Sequence, residues 1–104
     1  MQLQDNRNTK QYHGYVVAII IAYINAALAH AQYELIKDEE PYYGEIPELP
    51  GVWATGKTLE ECRENLAEVV DGWIIVRLRK GLSVPPIDNI TIEELTGIET
   101  GAHT

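Results

Sequence analysis

The sequence predicts an α+β domain: a small antiparallel sheet of three strands, with room for a fourth, packed on one long helix and accompanied by an N-terminal helix. Three observations predict it. Residues 58–80 keep apolar side chains at helical spacing between a start signal and a glycine stop. Residues 32–55 switch to short runs broken by prolines. An apolar, alanine-rich stretch precedes both.

At 104 residues the chain fits one domain. It divides into an N-terminal extension at 1–17, an α+β domain at 18–95 and a flexible tail at 96–104. Residues 1–14 are polar and read as a frayed or disordered lead-in. Residues 15–24, YVVAIIIAYI, carry no charge. Their β-branched residues favour a strand, while Ile24, Ala27, Leu28 and Ala31 share one helical face. A helix over 18–31 reconciles the two patterns. The apolar run is shorter than the roughly 20 residues a membrane span needs, and Asn25 and His30 interrupt it. No membrane association is expected.

From Gln32 the period shortens. Residues 32–37 and 42–46 read as two strands of a hairpin around the turn Asp38-Glu39-Glu40-Pro41. Pro47 and Pro50 bracket a loop, because proline offers no backbone donor to a sheet. Residues 51–55, GVWAT, form the third strand. Thr58 followed by Glu61 is a capping box, and Leu59, Cys62, Leu66, Val69, Val70, Trp73 and Ile74 follow at helical spacing. Acids stand early in this helix, and Arg77, Arg79 and Lys80 stand late, as the helix dipole prefers. Gly81 is placed to end it. At 1.5 Å per residue the helix is about 34 Å long. Residues 89–93 could add a short strand, or Thr91 could cap a short helix.

The run from residue 32 to 81 resembles the HicB family of antitoxins. The features that carry the resemblance are Tyr43 to Ile46, the Ile46-Pro47 to Pro50-Gly51 link, the Gly56-Lys57-Thr58 turn, and Leu59-Glu60-Glu61-Cys62 with Asn65, followed by Gly81, Pro85 and Pro86. The resemblance implies a partial RNase H-like fold. It also implies a role: binding and neutralising a HicA-type toxin, a small basic mRNA-cleaving ribonuclease. Many members of that family add a C-terminal DNA-binding segment. There is no room for one after residue 95 here, so no direct nucleic-acid contact is expected. The N-terminal apolar segment is not part of the family pattern.

The charge agrees with a protein partner. Sixteen acidic against 8 basic side chains give a formal net charge of −8. That balance argues against general RNA or DNA binding and suits a basic partner. Cys62 is alone, so no intramolecular disulfide can form, and a cytoplasmic location is expected.

Catalysis finds little support in the residues. Two-metal nucleases need several carboxylates clamping one phosphate, and only Glu34 and Glu45 stand well inside predicted strands. His13, His30 and His103 are widely spaced, and with one cysteine they suggest no zinc site. Gly56-Lys57-Thr58 lacks the upstream glycine of a phosphate loop. No enzymatic activity and no cofactor are expected.

Binding features remain. Tyr42, Tyr43 and Trp53 are aromatic residues on short strands, and alternation turns one of the two tyrosines outward. Glu39, Glu40, Glu45 and Glu48 cluster near the hairpin and could meet a basic surface. Ile20, Ile24, Leu28, Trp73 and Val76 exceed what a small sheet can cover and are candidate contacts between copies in a homodimer or tetramer. Two functions from different classes follow: an antitoxin-like protein, or an orphan HicB-like homo-oligomer without a toxin.

Overall fold

The computed structural model describes the backbone of residues 2–92 and the side chains of residues 14–92. Two helices and three strands follow in the order α1 (Gln2–Ala29), β1 (Gln32–Leu35), β2 (Tyr42–Glu45), β3 (Trp53–Gly56) and α2 (Leu59–Arg79). The fold class is the expected α+β arrangement. The strands are antiparallel in the order β1-β2-β3.

The helix α1 is longer than the sequence predicts. It begins at Gln2, so the polar segment expected as a frayed lead-in is helical, and the β-branched run at 15–22 lies inside the helix. Polarity alone does not break a helix. Residues 2–13 hold no proline or glycine, so nothing there interrupts the intrahelical hydrogen bonds. At the other end the turn tightens: the His30 and Ala31 amides donate to the Ala27 and Leu28 carbonyls at 3.0 and 3.1 Å.

The long helix follows its sequence signals closely. Thr58 has extended backbone (φ −130°), and its hydroxyl oxygen accepts from the Glu61 amide at 3.0 Å. The Glu61 carboxylate in turn accepts from the Lys57 amide, one residue before the cap, at 3.0 Å. The C-terminus closes in a Schellman motif. Leu82 donates to the Arg77 carbonyl at 2.9 Å and Gly81 to the Leu78 carbonyl at 3.2 Å, with Gly81 at φ +69°.

The helix α2 covers one face of the sheet. Gly44 and Gly56 make that close approach possible. A methyl group on Gly56 would stand 2.8 Å from Cys62 Cα, and one on Gly44 2.7 Å from the Tyr33 ring. Cys62 is fully buried there, 3.5 Å from the Ala54 carbonyl, as its place on the apolar stripe predicts. Burial pushes its thiol pKa up, and the Glu40 carboxylate adds to the rise.

The core extends beyond the sheet. Tyr23, Ala27 and Leu28 of α1 meet Leu66, Val70 and Ile74 of α2, and Ile46, Leu49 and Val52 fill the space from the β2–β3 loop. Val84, Ile87 and Ile92 close it from the chain after α2. Each of the Leu, Ile and Val side chains among them contributes roughly 1.5–3 kcal/mol when fully buried. The Tyr23 hydroxyl donates to the Pro85 carbonyl, tying α1 to this last segment. Burial pushes the Tyr23 phenol up to about 12, against a lowering by Arg77.

Among the described residues no fourth strand joins the sheet. Ile87 and Ile90 instead exchange hydrogen bonds at 3.2 and 2.8 Å across a two-residue turn, with Asp88 and Asn89 in left-handed conformation (φ 50° and 66°). Asp and Asn tolerate that region better than other residues with a side chain. The expected tail at 96–104, and a helix capped by Thr91, lie outside the described residues.

Candidate binding face

Strand pairing decides which side chains share the side of the sheet that, among the described residues, nothing covers. Glu34 lies opposite Tyr43 and Tyr43 opposite Thr55, while Gln32 lies opposite Glu45 and Glu45 opposite Trp53. These six residues point away from α2, because side chains alternate along each strand and Gly44 and Ala54 face the helix.

An aromatic pair occupies the middle of this face. The Tyr43 and Trp53 rings stack with centroids 5.9 Å apart and planes 24° from parallel. They are diagonal neighbours, within reach of large side chains on adjacent strands. Trp53 remains 54% exposed, an unusual degree for a residue that large.

Carboxylates flank the pair. Glu45 lies beside Tyr43, and Glu34 lies across from it on β1. Partial burial raises the Tyr43 phenol pKa first, and the Glu45 and Glu34 charges raise it further. The phenol therefore stays a neutral hydrogen-bond donor at physiological pH. A depression of about 180 Å³ lies at the β1 side, lined by Gln32, Tyr33, Glu34 and Glu45. At the opposite edge the Thr55 hydroxyl donates to Glu40 at 2.6 Å, holding the acidic turn against the end of β3. The Asn65 amide of α2 donates to the Thr55 carbonyl at 2.9 Å and fixes this strand from the helix side. The face offers an apolar, rigid centre with an acidic surround.

The residues expected at a binding site divide. Tyr43, Glu45 and Trp53 come together on the open face. Glu40 borders it, and Glu39 is exposed in the adjoining turn. Tyr42 belongs to the opposite side, in line with Gly44, and is partly covered, so it leaves the set. Glu48 is engaged elsewhere: it meets His30 Nδ1 at 2.8 Å, while Asp88 meets His30 Nε2 at 2.9 Å. Gln32, Glu34 and Thr55 complete the face. Alternation outward from Glu45 could have indicated Glu34 once the register was known, but the register itself is not written in either strand alone.

The expected assembly contacts also divide. Leu28 is buried in the core of the single chain, because α1 turns it toward α2 and the sheet end, so it is not an outer contact. Ile20 and Ile24 line an open apolar groove of about 410 Å³ between the helices, with Val17, Ile21, Ala67, Glu68 and Asp71. Trp73 is half-buried, with the Arg77 guanidinium 4.7 Å above its ring. Val76 is 50% exposed near the end of α2.

Among the described residues, no group of three or more His, Cys, Asp or Glu side chains is arranged to hold a metal ion. Among the same residues no helix is long and apolar enough to cross a membrane.

Residues 22–85 match the UPF0150-like family. The chain belongs to that family. It is similar to a UPF0150 protein of Thermotoga maritima, with 34% identity over 62 residues, covering 60% of this chain and 71% of the relative. The fold is similar to the crystal structure of TTHA0281 from Thermus thermophilus. The TM-score is 0.68 and the identity 51%, over 71% of this chain and 91% of that one. The matched family region takes in the sheet, α2 and the last turns of α1; the first part of α1 precedes it.

Proposed function

We propose that this UPF0150-like protein is an antitoxin-type binding module that neutralises a small basic mRNA-cleaving toxin of the HicA kind. It acts by occlusion, without turnover and without a cofactor. The observation that carries this reading is the exposed Tyr43–Trp53 stack flanked by Glu34, Glu45 and Glu40 on the uncovered sheet face. Aromatic residues held rigid by a sheet are favoured interface anchors, and carboxylates around them suit a basic partner. The order of sequence features shared with HicB antitoxins lies within the family-matched region, which adds support. The net charge of −8 disfavours direct contact with nucleic acid. A single buried free cysteine suits a reducing, cytoplasmic setting.

The test is co-purification with the product of the adjacent gene, followed by binding to Trp53→Ala. A hot-spot tryptophan contributes about 2 kcal/mol or more, so affinity should fall at least tenfold while the fold is retained. A stable complex that Trp53→Ala and Glu45→Lys leave unchanged would move the binding site off this face. A neighbour that neither binds nor is toxic would remove the antitoxin reading.

A further inference from the structure

Among the described residues, one side of α1 has no partner. Tyr15, Val17 and Ile21 are 50%, 39% and 52% exposed. Val17 and Ile21, with Ile20 and Ile24, form one wall of the open groove, whose other wall is Ala67 of α2 rimmed by Glu68 and Asp71. The groove is apolar along its floor and acidic along one edge.

The charge pattern selects what can fill it. Asp5 is the one acid before Glu34; residues 6–33 carry only Arg7 and Lys10 as full charges. In a chain of net charge −8, this acid-free stretch is the part that meets a second copy with least like-charge repulsion. It is also the stretch that carries the uncovered apolar side chains. We infer that the groove between α1 and α2 receives α1 of a second copy of this chain, in an antiparallel, two-fold pairing.

A pairing centred between Tyr15 and Ile21 sets those residues opposite each other across the two-fold axis. The acid-free stretch of the second copy then lies along the edge that Glu68 and Asp71 rim. The contact is isologous, so the same charges and apolar residues meet twice. Antiparallel helices packed in this way meet about 8–10 Å apart.

The experiment is light scattering on the full chain at tens of micromolar. The expected mass is an even multiple of the 11.7 kDa protomer. Ile21 is half exposed, so Ile21→Glu should keep the far-UV spectrum and halve the mass. A monomeric wild type would overturn the inference. So would an assembly that Ile21→Glu leaves intact, or a wild-type monomer whose binding to a different protein is lost in Ile21→Glu.

Discussion

Replacing Gly56 by alanine tests the contact that positions both the sheet and its open face. Gly56 ends β3 two residues before the Thr58 cap, and the first turn of α2 rests on it. An added Cβ would meet the Cys62 amide nitrogen and lie 2.8 Å from Cys62 Cα and 3.0 Å from the Glu61 carbonyl carbon. These are backbone atoms, so no rotamer change relieves the clash; strand and helix must separate. Overpacking of this kind costs about 1–3 kcal/mol, and a backbone obstacle puts Gly56→Ala at the upper end, about 3 kcal/mol. At Gly44 the same methyl meets the Tyr33 ring at 2.7 Å and the Cys62 sulfur at 3.2 Å. Those are side-chain atoms, so about 1–2 kcal/mol is expected. Gly72 has nothing within 4 Å of an added Cβ and is exposed within α2. There, alanine should stabilise by about 0.5–1 kcal/mol through helix propensity. Urea unfolding followed by tryptophan fluorescence gives all three values. A Gly56→Ala protein within about 0.5 kcal/mol of wild type, or less affected than Gly44→Ala, would refute the packing argument.

Both nitrogens of His30 face carboxylate oxygens, which only accept, so the ring satisfies both when doubly protonated. The hydrogen bonds to Asp88 and Glu48 raise its pKa above 6.5. The stability this clasp contributes is fully present below the unfolded value of 6.5 and is lost as pH rises through the raised folded value. The stability difference between wild type and His30→Gln should therefore shrink with rising pH, and a flat or growing difference in urea titrations would contradict it. Thr58→Ala should cost about 1 kcal/mol and Thr58→Ser much less, since only the hydroxyl acceptor for the Glu61 amide is at stake; thermal unfolding separates the two. Tyr23→Phe removes the donor to the Pro85 carbonyl and should cost about 1–2 kcal/mol with no change in far-UV spectrum. Given a basic partner, replacing Glu39, Glu40 and Glu45 by Lys should slow association at low salt; an unchanged on-rate in stopped-flow mixing would exclude charge steering.

Residues 58–81 show what a sequence can settle alone. Capping box, apolar stripe, charge order and terminal glycine are local signals, and they agree with one another, so α2 appears with its Thr58 cap and its Gly81 stop. The three strands were legible for the same reason, through prolines and short alternation. Their ends moved by one or two residues because ladder ends depend on the neighbouring strand. Residues 2–14 are helical where their polarity predicts a frayed lead-in, because a helix needs only unbroken backbone bonds once its later turns are anchored by Tyr23, Ala27 and Leu28.

What the tertiary structure alone decided is which residues meet. Tyr43 and Trp53 are ten positions apart in a sequence that offers either tyrosine as an outward candidate; pairing of β2 with β3 selects Tyr43 and sends Tyr42 to the helix side. His30, Glu48 and Asp88 carry no common motif, yet three separate segments bring them within hydrogen-bond reach. Leu28 and Ile24 belong to the same helical stripe, and only the seat of α2 puts the first in the core and leaves the second at an open groove. Element type follows from interactions among residues a few positions apart, which the order of side chains encodes directly. Register, facing and long-range pairing depend on how whole elements pack, and that is set by the sum of many contacts distributed along the chain.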